Sequence, residues 1–253
     1  MDFDSGNITI NGYDLKTQSN EIRKLIGVVF QDSLLDKLLT VRENLIIRAG
    51  FYSKSKSEIS NMVNNVIKII ELSDFIDRPY GKLSGGQKRR ADIAVALLHK
   101  PKILFLDEPT TGLDPQTRLA VWEIIKKLQT ESGMTIFLTT HYMEEAADSN
   151  FVIVIDNGLI AAKGTPHELK SQYSKDSLKL YASSPEFAQK IQDIIGKTGI
   201  KYSINDLVIE IKLKNTFESI DIIETCRDYI SSFQVLQGSM DDAFIGITGK
   251  EIR

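Results

Sequence analysis

Short apolar runs and helical apolar stripes alternate along the first two thirds of the chain. Branched and aromatic residues form brief runs at residues 26–30, 103–106, 135–138 and 151–155. Runs of this length are typical of buried strands. Between them, helical spacing creates apolar faces at Ile59, Met62, Val63, Val66, Ile67 and Ile70, and at Leu119, Trp122, Ile125 and Leu128. Strands that alternate with helices predict a parallel α/β sheet.

The two ends of the chain carry different patterns. Near the start, Ile8 and Ile10 alternate with polar residues before Asn11-Gly12, which predicts a β-hairpin. After the polar stretch 171–177 the pattern predicts strands at 178–182, 200–204, 207–213 and 233–237 and helices at 185–196 and 217–230. This order predicts a small β-α-β-β-α-β domain. We therefore expect a larger domain over residues 1–170 and a smaller one over 171–253.

The composition favours a folded protein and excludes several classes. A chain of 253 residues with 42% hydrophobic residues can bury a core, and its apolar runs fall far short of the roughly 18 residues that cross a bilayer. The chain has 31 Lys+Arg against 34 Asp+Glu. Because basic residues are not in excess, the charge balance argues against a nucleic-acid-binding surface. A single cysteine, Cys226, excludes an internal disulfide and fits a reducing compartment. No basic and apolar leader begins the sequence, so no secretory signal is expected.

A serine and two glycines open one predicted helix. Ser84, Gly85, Gly86 and Gln87 precede an apolar helical segment at residues 91–98, and Ser84 is well placed as its N-cap. The glycines expose backbone N–H groups at the positive end of the helix dipole, where an anion is favoured. An ordinary loop-to-helix cap explains the same residues, so this segment alone leaves both interpretations open.

Two carboxylates follow the strand predicted at residues 103–106. Asp107 and Glu108 stand before Pro109, at the carboxyl edge where open α/β sheets bind ligands. Asp107 suits Mg²⁺, which prefers a few hard oxygen ligands and keeps much of its hydration. Glu108 could polarise an attacking water. For Glu108 the alternative is a solvated turn carboxylate before a proline.

Three other polar residues stand at strand ends or at a helix start. Gln31 ends the predicted strand 26–30 and offers an amide at the same edge, while His141 follows the predicted strand 135–138. His141 could donate a hydrogen bond to a phosphate oxygen. Asp114 precedes Pro115, a pair that fits an N-cap and a first helical residue. Each of the three has an ordinary structural explanation when taken singly.

Together, these motifs resemble the ATP-binding subunit of ABC transporters over about residues 5–168. The resemblance implies a P-loop NTPase-like α/β fold with a helical segment at about residues 34–99. It identifies Gln31 with the Q-loop glutamine, Ser84, Gly85, Gly86 and Gln87 with the signature loop, Asp107 and Glu108 with the Walker B pair, Asp114 with the D-loop aspartate and His141 with the switch histidine. Residues 171–253 are similar to the accessory region of drug-export ATPases of the daunorubicin-resistance type.

The resemblance also implies a mechanism that uses ATP and Mg²⁺. Two like or unlike subunits would bind ATP between the phosphate loop of one and the signature loop of the other. Glu108 would be the general base, His141 and Gln31 would position phosphate and water, and Asp107 with Gln31 would hold the metal. Asp114 and the signature loop would contact nucleotide across the dimer. A membrane-spanning permease would be the partner, which implies a peripheral place on the cytoplasmic face of the membrane.

One motif of this family is not found in the sequence. No Gly-x-x-x-x-Gly-Lys-Ser/Thr phosphate loop occurs in the 253 residues. The nearest segment is residues 196–198, but Ile191 stands where the first glycine is needed. In relatives the loop comes just before a segment like residues 5–12, so we expect that the chain begins too late and has a weak nucleotide site of its own. The missing strand would lie between the strands 135–138 and 151–155.

Two functional hypotheses of different classes remain. The first is an energy-coupling ATPase subunit of an exporter of drugs or other small molecules. The second is a truncated, catalytically inactive module that lends its signature loop to a partner ATPase. Turnover that is lost on Glu108→Gln would exclude the second. A ribosome-acting ABC protein is disfavoured because those usually carry two cassettes, and a DNA-repair relative because no long coiled-coil insertion is present.

Overall fold

The computed structural model describes residues 4–249. The chain divides into two compact units, Met1–His141 and Tyr142–Arg253. Residues 142–170 therefore belong to the second unit, although the sequence pattern places them with the first domain. A division into compact units does not test where a family domain ends, so the expected boundary near residue 170 stays a prediction.

A hairpin and a parallel sheet provide the strands of the first unit. Strands β1 (Thr9–Ile10) and β2 (Tyr13–Asp14) pair antiparallel. The turn residues Asn11 and Gly12 both have positive φ angles, 49° and 84°, as the tight turns favoured in hairpins require. The predicted hairpin is confirmed.

The predicted parallel sheet is also confirmed. Strands β3 (Ile26–Val29), β4 (Ile103–Asp107) and β5 (Thr135–Thr139) run parallel in the order β3-β4-β5. One face is covered, because Leu104 and Leu106 are buried, whereas Phe137 on β5 is 50% exposed. The expectation that these strands are buried is therefore wrong for the second face.

Five α-helices accompany this sheet within the described residues. They are α1 (Ser19–Leu25), α2 (Val41–Ala49), α3 (Lys56–Ile70), α4 (Gly85–Leu97) and α5 (Pro115–Ser132), with a 3₁₀ turn at Tyr80–Lys82. Amphipathic spacing explains why α3 packs on the core, since Val63, Val66 and Ile70 are buried. On α5 the predicted face is shifted: Val121 is buried, whereas Leu119 is 66% exposed.

The second unit begins with a small cluster around a hairpin. Strands β6 (Val152–Asp156) and β7 (Leu159–Gly164) pair antiparallel. Helices α6 (Met143–Ala147) and α7 (Pro166–Tyr173) flank the hairpin in sequence. The run predicted at 151–155 is thus a strand, but it pairs in a hairpin and not in the parallel sheet. Among the described strands, β5 pairs only with β4 and β6 only with β7.

The rest of the second unit has the predicted β-α-β-β-α-β order. Its elements are β8 (Asp176–Ala182), α8 (Pro185–Gly196), β9 (Tyr202–Asn205), β10 (Val208–Leu213), α9 (Glu218–Cys226) and β11 (Ile230–Leu236). They form an antiparallel sheet in the order β11-β8-β10-β9, and helix α10 (Met240–Thr248) follows. The second predicted helix, 217–230, is too long, because a 3₁₀ turn at Arg227–Tyr229 leads directly into β11.

Across residues 4–249, no helix has the length and apolar character needed to cross a membrane.

Candidate functional site

The carboxyl ends of β4 and β5 bring two side chains into contact. Parallel pairing places Asp107, the last residue of β4, opposite Thr139, the last residue of β5. The Thr139 hydroxyl donates to Asp107 Oδ1 over 2.6 Å and accepts from the Glu108 backbone N–H over 3.1 Å. Thr139 thereby connects both carboxylate positions to the neighbouring strand.

The Glu108 carboxylate is the centre of the predicted polar cluster. Gln31 Nε2 donates to Glu108 Oε2 over 3.2 Å, and the Thr111 hydroxyl donates to the same oxygen over 3.0 Å. His141 Nδ1 lies 3.6 Å from Glu108 Oε1, and the Glu108 side chain is 31% exposed. Gln31, Glu108 and His141 thus meet at one edge of the sheet, and solvent reaches the carboxylate. At 3.6 Å the histidine is beyond ordinary hydrogen-bond distance but near enough for an ion pair when protonated.

Glu108 has a strained backbone that its neighbours hold in place. Its φ angle is 43°, a region that side chains other than glycine seldom occupy and that costs on the order of 1 kcal/mol. On one side, Thr139 accepts from its N–H. On the other, Arg89 Nη2 donates to the Asp107 carbonyl over 2.6 Å and Nε donates to the Pro109 carbonyl over 2.8 Å. The turn that carries Glu108 is therefore fixed from both sides.

Arg89 is a buried cation on α4 that also contacts the end of β3. Its Nη1 donates to the Phe30 carbonyl over 2.6 Å, and the residue is only 7% exposed. Burial lowers the pKa of Arg89, with a smaller opposing influence from Asp92, Tyr80 and Asp107. Three carbonyl acceptors satisfy the charge, as a buried guanidinium requires.

The carboxylate of Asp92, one turn further along α4, accepts hydrogen bonds from two hydroxyl groups. The Ser33 hydroxyl donates to Asp92 Oδ1 over 2.6 Å, and the Tyr80 hydroxyl donates to the same oxygen over 3.2 Å. Burial raises the pKa of Asp92, against the effect of these bonds and of Arg89. Asp92 therefore connects α4 to the segment that follows Gln31.

The start of α4 has the capping geometry that the sequence predicts. The Ser84 hydroxyl accepts from the Gln87 N–H over 3.4 Å, while Gln87 Oε1 accepts from the Ser84 N–H over 3.1 Å. This reciprocal pair is a capping box, which satisfies two N–H groups of the first turn. Ser84 and Gly85 are exposed, whereas Gly86 is buried.

Close packing against α5 explains why residue 86 is a glycine. A Cβ atom at this position would lie 2.2 Å from Thr117 Cγ2 in the first turn of α5. Thr117 also donates from its hydroxyl to Asp114 Oδ2 over 2.5 Å, and from its N–H to Asp114 Oδ1 over 3.0 Å. Asp114 is the predicted N-cap of α5, and the hydrogen bonds from Thr117 lower its pKa. Thr117 thus contacts both the start of α4 and Asp114.

The donor atoms at this edge suit a magnesium ion. Across residues 4–249, no group of three or more His, Cys, Asp or Glu side chains could hold a metal. Mg²⁺ does not need such a group, because it usually binds one or two carboxylates, water and substrate phosphates. The Asp107 carboxylate provides hard oxygens, and Gln31, which donates with Nε2, adds an amide oxygen. The fit is incomplete at the phosphate end, since no Gly-x-x-x-x-Gly-Lys-Ser/Thr motif occurs in the 253 residues.

A groove lies beside the segment that follows β3. It encloses about 400 Å³, and its lining includes residues of β3, of α4 and of the end of α2. Leu34, Phe51 and Tyr52, which also line it, are 63%, 76% and 51% exposed. His99 forms part of the wall and stacks on Tyr52 with ring centroids 4.6 Å apart. Large apolar side chains exposed together in a groove mark a surface for another molecule.

Comparisons with known proteins identify the family. A family model described as ABC transporter matches residues 1–111. The Nod factor export ATP-binding protein I of Rhizobium sp. (strain N33) is 32% identical over 261 residues, which cover 98% of this chain and 81% of that protein. The linearmycin resistance ATP-binding protein LnrL of Bacillus subtilis (strain 168) is 31% identical over 258 residues, which cover 99% and 83%. The chain belongs to the ATP-binding proteins of the ABC transporter family.

Solved structures agree with this family. A dimeric post-hydrolysis state of the ATP-binding cassette MJ0796, bound to ADP and Pi, matches with a TM-score of 0.56 and 30% identity, over 64% of this chain and 74% of that one. CbiO1 from Clostridium perfringens, part of the ABC transporter complex cbiONQ, matches with a TM-score of 0.62 and 28% identity, over 78% and 75%. Nucleotide binding is therefore a property of the family, and the P-loop NTPase-like fold class is confirmed.

The sequence motifs do not reveal every residue that builds this site. Arg89, Asp92, Ser33 and Thr139 were not predicted, although each has side-chain hydrogen bonds at this edge or in the segment beside it. Thr139 has a weak signal in the sequence, since it is the last residue of a strand at the ligand edge. Arg89 has none, because a basic residue after a helix start is usually solvated.

Proposed function

We propose that the protein is the ATP-binding and ATP-hydrolysing subunit of an ABC-type membrane exporter of drugs or other small molecules. One observation carries the ATPase part: the partly exposed Glu108 carboxylate is oriented by Gln31 and Thr111 and has His141 3.6 Å away. Export is supported by relatives named for Nod factor export and for linearmycin resistance. Homology over nearly the whole chain does not favour an inactive module.

In this proposal the residues at the sheet edge act on water and phosphate. Glu108 is the general base that takes a proton from the attacking water, and the Gln31 amide holds that carboxylate in place. His141 donates a hydrogen bond to a phosphate oxygen. Asp107 would hold Mg²⁺, with Gln31 as a second ligand. When bound, the metal supplies positive charge that stabilises the transferred phosphoryl group.

The proposed dimer uses the start of α4. Ser84, Gly85, Gly86 and Gln87 would face the nucleotide held by a second ATPase subunit, where backbone N–H groups at a helix start favour an anion. Asp114, bound to Thr117 beside this segment, would lie near the same interface. The second subunit would be a copy of this chain or a related ATPase.

The proposed permease would bind at the groove beside Leu34, Phe51 and Tyr52. These exposed apolar side chains suit an apolar segment of a membrane-spanning partner, and Arg48 in the same groove suits its acidic residues. Such a complex would hold the chain at the cytoplasmic face of the membrane.

We assign residues 1–170 to the ATPase domain and 171–253 to the accessory domain.

ATP turnover by the purified protein, alone and assembled with its permease, tests the proposal. Glu108→Gln should lower kcat by about 10² to 10⁴, the range expected when a general base is removed, and should leave ATP binding intact. The control is Glu123→Gln, which changes an exposed residue on the surface of α5 and should leave kcat unchanged. Wild-type protein without turnover in both preparations, or Glu108→Gln with wild-type kcat, would contradict the assignment.

A further inference from the structure

Two residues of α4 hold the chain on either side of Gln31. Arg89 and Asp92 are three residues apart and so lie on the same face of the helix. Arg89 Nη1 binds the Phe30 carbonyl over 2.6 Å, directly before Gln31. Asp92 Oδ1 accepts the Ser33 hydroxyl over 2.6 Å, two residues after it. The segment 30–33 is therefore attached to one helix at both ends.

We propose that Arg89 and Asp92 are positioning residues for ATP hydrolysis, which hold residues 30–33 against α4 and thereby set the place of the Gln31 amide beside Glu108. This inference rests on the proposed ATPase function. Arg89 also holds Glu108, the residue that the Gln31 amide contacts, since it binds the carbonyls of Asp107 and Pro109 on either side of Glu108. One helix face thus fixes both Gln31 and Glu108.

The segment's own apolar side chain is exposed, and the next anchors lie beyond it, at the Leu34 carbonyl, which accepts from Arg48 over 2.9 Å, and at the buried Leu35. Phe30 is 52% exposed and Leu34 is 63% exposed, so neither contributes a fully buried apolar side chain. Few buried apolar contacts predict a segment of low local stability, whose conformation depends on specific anchors. A bond between the Ser33 hydroxyl and the half-buried Asp92 carboxylate is such an anchor, because charge-assisted hydrogen bonds are stronger than neutral ones.

The same helix begins at the signature segment. Ser84 caps α4, and Arg89 and Asp92 follow within its next two turns. If contact with a second subunit's nucleotide displaced the start of α4, Arg89 and Asp92 would transmit that displacement to residues 30–33. The arrangement connects the signature segment of one subunit to the water-activating residues of that same subunit.

Five variants of the full chain test the inference. Ser33→Ala removes the hydroxyl that binds Asp92, and Ser33→Thr keeps it. Ser57→Ala is the matched control, because it removes an exposed serine hydroxyl of α3 and touches neither Ser33 nor Asp92 in sequence or in any hydrogen bond described here. Ser33 also accepts from the Leu35 N–H, so Asp92→Asn, alone and combined with Ser33→Ala, separates the bond to Asp92 from this local turn.

The first measurement is hydrogen–deuterium exchange of peptides that cover residues 30–36, which does not depend on ATP turnover. Ser33→Ala should speed this exchange roughly tenfold, the effect of losing one hydrogen bond to a charged group. Ser33→Thr and Ser57→Ala should exchange like wild type. Asp92→Asn alone should speed the exchange to the same degree, and the double variant should exchange no faster than either single variant. Wild-type exchange in Ser33→Ala, or additive effects in the double variant, would overturn the inference.

The second measurement is steady-state ATP turnover. Ser33→Ala should lower kcat about tenfold with little change in the KM for ATP, because the Gln31 amide is displaced and the nucleotide contacts are not. Ser33→Thr should restore kcat, which a merely destabilised protein would not explain. Faster exchange together with wild-type kcat would overturn the positioning role. If wild-type protein has no turnover, the proposed function fails, while the exchange result still decides whether α4 anchors the segment.

Discussion

The Thr139 hydroxyl lies 2.6 Å from Asp107 Oδ1 and also accepts a 3.1 Å hydrogen bond from the Glu108 backbone N–H. One side chain at the end of β5 therefore orients a carboxylate and supports a strained turn at the end of β4. The contact exists only because parallel pairing brings Asp107 and Thr139 opposite each other.

We predict that Thr139→Val lowers the kcat of ATP turnover about tenfold or more, because the substitution removes a hydrogen bond to a charged group. The variant should stay folded, since valine has nearly the same shape as threonine. Thr139→Ser keeps the hydroxyl and should retain most of the activity. Steady-state kinetics of the three proteins check the prediction, and equal kcat for Val and wild type would contradict it.

The close contact between Gly86 and Thr117 gives a second prediction. Gly86→Ala should destabilise the first unit by roughly 1 to 3 kcal/mol, because the added methyl group would overlap Thr117 Cγ2. Thr117→Ser removes that methyl and keeps the hydroxyl that binds Asp114. The double variant should therefore recover most of the lost stability, as measured by urea unfolding.

Gly85→Ala is the control for Gly86→Ala, since its Cβ would meet only the flexible end of Leu113 at 3.1 Å. Fluorescence of Trp122 reports this unit selectively, because the chain has a single tryptophan and it lies on α5. A Gly86→Ala protein as stable as wild type would contradict the close packing of α4 on α5.

Removal of the buried Arg89 cation gives a third prediction. Arg89→Gln should cost about 2 to 4 kcal/mol of unfolding free energy, because it breaks charged hydrogen bonds to the carbonyls of Phe30, Asp107 and Pro109. Lys82→Gln, which removes an exposed cation near the start of α4, should change stability by less than about 0.5 kcal/mol. Denaturant unfolding followed by Trp122 fluorescence measures the unfolding free energy of both variants. Similar losses in Arg89→Gln and Lys82→Gln would contradict the prediction.

His99 gives a prediction about pH. Burial lowers the pKa of His99 below its ordinary value of 6.5, against a raising effect of the Ile26 carbonyl. Its Nε2 lies 2.9 Å from that carbonyl, and Nδ1 is buried with no hydrogen-bond partner in the described part of the chain. Because the carbonyl can only accept, Nε2 carries a proton, and a second proton on Nδ1 would have no acceptor there, so the neutral ring is favoured.

A histidine whose pKa is lowered by folding takes up a proton more readily when the chain unfolds. Its stabilising contribution is therefore present above pH 6.5 and is lost as the pH falls through the folded-state pKa. We predict that the unfolding free energy of the first unit falls as the pH is lowered below 6.5. His99→Gln should reduce this slope, and His167→Gln, which removes an exposed imidazole of the other unit, should keep it. Trp122 fluorescence at several pH values measures the slope, and an unchanged slope in His99→Gln would refute the prediction.

Local patterns in the sequence were sufficient for most of the elements. The stripe Val63, Val66 and Ile70 predicts α3, and the branched runs predict β3, β4 and β5 within one or two residues. Capping is equally local, since Ser84 and Asp114 cap the helices that the sequence assigns to them. The pairing of the run at 151–155 is not local, and there the parallel interpretation failed.

The sequence also determined which polar residues meet at the ligand edge. Asp107 ends a strand, whereas Gln31, Glu108 and His141 each follow one, and strands that run parallel end at the same edge. The strand positions follow from short-range patterns of apolar residues, and the parallel direction follows from the alternation of strands with helices.

Only the tertiary structure decided what holds these residues in place. Arg89 binds carbonyl groups 59, 18 and 20 positions away in the chain, and Asp92 binds a hydroxyl 59 positions away. Backbone carbonyls have no sequence signature, because every residue carries one. Whether a buried arginine finds three of them depends on how helix and strands pack, and packing joins segments that no local pattern relates.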